Sequence, residues 1–258
     1  MLLEVCVDSI ESAINAVNGG AGRLELCSAL SEGGLTPSPG VFKVLKKSLP
    51  RPVPIFVMIR PRAGNDFHYT KLELDSMVED IELFRELGAD GFVFGALDDN
   101  GRIDAIANTT LMNAVDDLPV TFHRCFDMLP PKDLQINALL IAELGFSRIL
   151  TSGCAAKAEN GISQIKQLMN LTSDLIVMPG SGVNAKNLEM ILKETGAKEF
   201  HASARVEKEL KVKQSIDLGN SDKDAVEKIF VCSEESVKEL VEIAKRLESS
   251  AEPTIQED

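Results

Sequence analysis

The chain has 258 residues, 44% of them hydrophobic and 26% charged, the balance of a globular protein able to bury a large core. A formal net charge of -13, no Trp and one Tyr exclude a basic or aromatic platform for nucleic acid. No run approaches the roughly 18 apolar residues of a membrane span, and Glu4 and Asp8 break the N-terminal stretch where a secretory signal needs an apolar centre.

Short β-branched or apolar runs recur along the chain, at residues 2–8, 23–27, 53–60, 91–95, 119–124, 148–153, 175–180 and 199–203. Between them lie stretches with apolar residues three and four apart, as in Ile10, Ala13, Ile14 and Val17, in Val78, Ile81, Leu83 and Leu87, and in Leu188, Ile191 and Leu192. Gly19, Gly88, Gly145 and Gly196 stand where left-handed helix ends are expected. Strand and helix in alternation imply parallel strands with right-handed crossovers. Eight such units predict an α/β fold, a closed (β/α)8 TIM barrel, as one domain over residues 1–248. Residues 206–231 are polar and lack a steady period, which predicts an irregular insertion between the last strand and a last helix near 234–247. Such a segment is either a solvated surface excursion or a loop over the barrel mouth. Residues 249–258 read as a disordered tail.

Alternation along a strand sorts its side chains into two faces. Leu3, Val5, Val7, Leu24, Leu26, Val57, Ile59, Phe122, Phe200 and Ala202 suit the helix-facing side. By the same parity Glu4, Cys6, Asp8, Glu25, Cys27, Met58, Arg60, Thr121, His123, His201 and Ser203 point into the lumen. A lumen built for stability alone would use Val, Ile and Leu. Charges there must pair, and the glutamates with Arg60 are the expected ion pairs. Two segments resemble oxyanion cradles: Gly180 and Gly182 in MPGSGVN after the seventh strand, and Ser203 and Arg205 in HASAR after the eighth. Arg60 and Arg62, flanking Pro61, are a second set of anion-binding candidates, with pairing to the inward glutamates the alternative.

Five cysteines, at 6, 27, 125, 154 and 232, are an odd number without CxxC spacing, which implies reduced thiols in the cytosol, with the nucleus as the secondary alternative. Cys6 and Cys27 lie on neighbouring strands about 4.8 Å apart and Met58 one strand further on. These soft donors suit Cu(I), although a buried cysteine is often only a small hydrophobe.

The segments EVCVDSIESAINAVNGGAGRLELCSALSEGGLTPS (4–38), MIRPRAGNDF (58–67), VFGAL (93–97), PVTFHRCFD (119–127), LTSGC (150–154), MPGSGV (178–183) and EFHASAR (199–205) closely resemble the CutC copper homeostasis family. The resemblance spans residues 2–205, with Ser181 where a third glycine is expected and Cys125 where a small residue is. It implies a cytoplasmic barrel, a homo-oligomer (dimer or tetramer) and one Cu(I) per subunit, held at Cys6 and Cys27; the position of Met58 in the lumen adds it as a candidate third ligand. The alternative function is that of an enzyme acting on a small anionic, phosphate- or carboxylate-bearing metabolite at the mouth. Its candidate catalytic residues are Glu25, Arg60, His123 and His201. Its anion-binding residues are Arg60, Arg62, Gly180, Gly182, Ser203 and Arg205.

Overall fold

The computed structural model describes residues 1–171, 175–210 and 228–251. Eight strands alternate with helices: β1 (Leu2–Val7), α1 (Ile10–Gly19), β2 (Arg23–Leu26), α2 (Pro39–Ser48), β3 (Ile55–Met58), α3 (Lys71–Glu86), β4 (Gly91–Phe94) and α4 (Ala105–Val115). The second half repeats the pattern with β5 (Val120–Phe122), α5 (Leu134–Glu143), β6 (Arg148–Thr151), α6 (Ile162–Met169), β7 (Ile176–Pro179), α7 (Leu188–Thr195) and β8 (Glu199–Ala202). All strand pairings are parallel, in the order β7-β6-β5-β4-β3-β2-β1-β8. β7 and β8, the two ends of the sheet, lie side by side, so the TIM-type ring is nearly closed. At that seam a Cβ on Gly180 would stand 2.5 Å from Leu150 Cδ1 and 3.2 Å from His201 Cβ, so the approach requires glycine.

The strands are shorter than their apolar runs. Pro52 and Pro54 lack amide hydrogens and delay β3 until Ile55. The first four helices begin at side-chain caps, among them Ser9 for α1 and the reciprocal Thr70–Glu73 capping box for α3. Gly88, Gly145 and Gly196 are left-handed as expected. Gly19 is not the cap of α1: Gly20 takes that role at φ 102, and Gly19 lets a neighbouring helix approach, since a Cβ there would meet Val237 at 2.5 Å.

The main core lies between sheet and helices. Every residue assigned to the helix-facing side of the strands is buried in it. On α3, Phe84 is buried and Leu83 is exposed, a one-residue correction to the expected face. A second, smaller cluster of Cys27, Phe56, Met58 and Val93 fills part of the lumen.

The insertion is more regular at its ends than its composition suggests. Arg205–Glu209 (β9) and Lys228–Cys232 (β10) form an antiparallel ladder, and α8 (Glu234–Ala251) follows. β10 leans on α1, where the Asn15 amide donates to the Cys232 carbonyl at 2.9 Å and the Cys232 amide donates to Ser12 Oγ at 3.1 Å. α8 continues through residues 249–251, which were expected in the tail. Residues 211–227 and 252–258 of the insertion and tail lie outside the described residues.

Candidate functional site

Parity brings Glu4, Cys6, Glu25, Cys27, Met58, Arg60, Thr121, His123 and His201 into a buried interior, with Glu4 fully enclosed. Asp8 is half-buried at the rim and accepts from the Leu30 amide at 3.2 Å. Above them opens a cavity of about 460 Å³, lined by Cys6, Glu25, Met58, Arg60, His123 and His201 on its walls and by Gly182, Ser203 and Arg205 at its mouth.

The ion pairing differs from expectation. Arg60 pairs with no glutamate: its guanidinium donates to the carbonyls of Glu32 (2.9 Å), Gly34 (3.2 Å) and Gly64 (2.8 Å). It sits two residues past the end of β3, where loop carbonyls are nearer than the acids. The glutamates instead take two arginines from the amino ends of the strands. Arg23 binds Glu4 at 2.5 Å and Glu199 at 2.6 Å, and Arg148 binds Glu199 at 2.7 Å. Both guanidiniums lie over the Phe56 ring, at 4.8 and 5.4 Å from its centroid. Arg23 shares the parity of Glu25, and Glu199 that of His201, so the signal was present at the strand starts.

Above this network Glu4 meets His201 Nδ1 at 2.8 Å, and His201 Nε2 lies 3.8 Å from Glu25. Burial works against the Glu4 charge, yet Arg23 and His201 overcome it and hold the carboxyl at about 2. Burial pushes Glu25 up to about 7, with the Glu4 charge adding to it and His201 opposing. Burial also disfavours a charged His201, but Cys6 and the two glutamates raise it well above the usual imidazole range. Cys6, Glu25 and His201 each present a ligand atom, all within 4.8 Å of one another. The Cys27 thiol lies 3.6 Å from Glu25 Oε2 and is raised well above the ordinary thiol range by burial, then by Glu25 and Cys6. Cys27 stands behind the cavity wall that Met58 lines, and both lie against Gly34, where a Cβ would be 3.1 Å from the Cys27 sulfur. Glu25 Oε1 is buried with no hydrogen-bond partner among the described residues.

Two anion-binding candidates lie elsewhere. Arg62, 38% exposed, spends its guanidinium on Glu73 at 2.6 Å and Asp66 at 2.9 Å, because the chain has already turned out of the barrel. The Gly180 amide donates to the Thr151 carbonyl at 2.9 Å, and the residue serves the seam. Parity also gave no sign of Asp127, whose carboxylate accepts from Thr151 Oγ1 (2.5 Å), the Ser152 and Cys154 amides (3.1 Å each to Oδ1) and Arg124 Nε (2.7 Å). That carboxylate ties the β5 and β6 loops together and positions Arg124 on the cavity wall.

Backbone strain gathers at this end. Ala29, Phe67, Cys154, Ser181 and Ala204 have φ between 46 and 78, one in each loop after β2, β3, β6, β7 and β8. Such positions disfavour residues with a Cβ and cluster at functional sites.

The sequence profile of the CutC family matches residues 1–206. This chain belongs to the CutC family. Relatives named copper homeostasis protein cutC homolog include one from Mus musculus, 48% identical over 95% of this chain and 89% of its own length, and one from Homo sapiens, 48% identical over 92% and 84%. A crystal structure of a CutC protein from Streptococcus agalactiae superposes with a TM-score of 0.75 at 37% identity, covering 79% of this chain and 98% of that one. An N-(5'-phosphoribosyl)anthranilate isomerase from Pyrococcus furiosus (TM-score 0.53, 14% identity, 95% and 99% covered) shares the barrel fold with this CutC chain. No helix among the described residues is long and apolar enough to cross a membrane.

Proposed function

We propose that this chain acts in copper homeostasis by holding one Cu(I) ion in the barrel lumen through the thiolates of Cys6 and Cys27. The observation that carries this reading is the meeting of both thiols at one carboxyl group. Cys6 Sγ shares a 4.8 Å cluster with Glu25 and His201, and Cys27 Sγ stands 3.6 Å from the same Glu25. Two thiols with the Met58 thioether in the adjoining cluster form a soft donor set suited to Cu(I). The unpartnered Glu25 Oε1 fits an incoming cation better than a finished structural role. A cation displaces the Cys27 proton that burial retains, so affinity rises with pH. All five cysteines are free thiols, as a reducing cytosol would keep them, and the names of the relatives supply the physiological setting.

Anaerobic titration with Cu(I) against a competing chelator tests the site. Wild-type protein takes up one equivalent, and Cys6→Ser and Cys27→Ser each abolish uptake. Cys232→Ser, whose sulfur lies in the outer core, retains it. Full uptake by both lumen variants would overturn the proposal.

A further inference from the structure

Arg60 is 3% exposed and has no carboxylate partner among the described residues, in a chain of net charge -13. Three loop carbonyls hold its guanidinium, and Phe67 packs against it with its ring centroid 5.0 Å from Cζ. Its Nε has no hydrogen-bond partner. A buried cation without a counter-charge is costly, and one held rigid against a cavity is suited to an anion from outside. The same Phe67 ring meets His123 edge-on, with centroids 5.0 Å apart. His123 Nδ1 accepts from the Cys125 amide at 3.3 Å, which places the ring hydrogen on Nε2. That Nε2–H is buried and also unpartnered. Burial, then Arg60, holds His123 down to about 3, so the ring is a neutral donor at any physiological pH.

The far wall repeats this chemistry. The amides of Ser181, Gly182 and Val183 donate to no acceptor among the described residues. Ser181 and Gly182 are left-handed at φ 78 and 69, and Arg205 lines the cavity beside them. The orphaned groups of the Arg60–His123 wall and the Ser181–Val183 wall are donors, in contrast to Glu25 Oε1 beside the thiols, which calls for an acceptor-rich, negatively charged ligand between those two walls. The volume suits a small metabolite.

We infer that the barrel mouth binds a small organic oxyanion. Its carboxylate or phosphate head meets the Ser181–Val183 amides and Arg205, and its other end meets the wall formed by Arg60 and His123. These donors repel a cation, so they form a separate set within the cavity that Cys6, Glu25 and Met58 also line, and the inference does not depend on the copper reading.

Calorimetric titration of the metal-free full chain with 2-phosphoglycolate, malonate and inorganic phosphate tests the inference. A two-ended probe, phosphoglycolate or malonate, binds at least about tenfold tighter than phosphate because it reaches both donor sets. Whichever of the two binds tighter names the head group. His123→Phe and Arg205→Ala each weaken that probe about tenfold. His123→Gln, which keeps an N–H donor, recovers part of the loss, and Arg62→Ala, outside the cavity, changes nothing. Should His123→Phe fail to fold, the exposed Arg205→Ala and the Gln variant decide. No binding of any probe at about 10 mM, or equal affinity in wild type, Arg205→Ala and the folded His123 variants, overturns the inference. Cu(I) uptake is unchanged in Arg205→Ala, so failure of either proposal is visible separately.

Discussion

The two ends of the barrel lumen are built on the same eight strands, yet they treat buried charge in opposite ways. At the amino ends, Arg23 and Arg148 meet Glu4 and Glu199 in a closed network that leaves no group without a partner. At the carboxyl ends, the Arg60 guanidinium donates only to carbonyls, while Glu25 Oε1 and His123 Nε2 have no hydrogen-bond partner among the described residues. The lower network fixes the barrel, and the upper set leaves its valences for something else. The difference separates structural from functional polarity within one pore, where burial alone does not.

Removing a member of each set tests the contrast most directly. Arg23→Met takes the arginine from the fully buried Glu4, leaving it His201 alone, and removes one of the two arginines on Glu199; it is expected to cost about 3–5 kcal/mol in urea denaturation. A loss below about 1 kcal/mol would mean the lower network is not what holds the barrel.

The second test is pH. Glu4, held at about 2 against an ordinary 4.5, stabilises the fold above pH 4.5 and loses that contribution as pH falls through about 2. Glu25 runs the other way. Raised from 4.5 to about 7, it favours the fold at low pH, and that contribution is lost as pH climbs from 4.5 through about 7. In metal-free protein Glu25→Gln should therefore gain on wild type between pH 4.5 and 8 by about 3 kcal/mol, measured by denaturation at both. A pH-independent difference would place Glu25 with the satisfied lower groups.

The smallest effect belongs to His123. Its Nε2 has no partner among the described residues, and Nδ1 accepts only from the Cys125 amide at 3.3 Å, so His123→Phe should cost about 1–2 kcal/mol, less than Arg23→Met, while lowering oxyanion affinity. A loss near that of Arg23→Met would give the ring a structural task and blur the contrast.

Much of this was legible in the sequence, because alternation is a local property. Period-two patterning assigned Cys6, Cys27, Met58, His123 and His201 to the lumen before any pairing was known. Which charge meets which was not legible. Arg23 and Glu199 lie 176 positions apart, and only ring closure brings them to 2.6 Å. The parity rule also lapses where a strand ends, as at Arg62, which a turned backbone carries outside. Gly180 shows the reverse failure: a glycine suggestive of a ligand cradle is demanded by packing against Leu150 and His201.

The left-handed residues in five of the mouth loops have a consequence for how such a protein changes over time. Each stores about 1 kcal/mol or more in its own loop, apart from its neighbours, above a rigid floor of paired arginines and acids. One loop can therefore be rewritten, relaxed or lengthened without disturbing the others. That modularity would let a lineage adjust what enters the pore while the scaffold below stays the same.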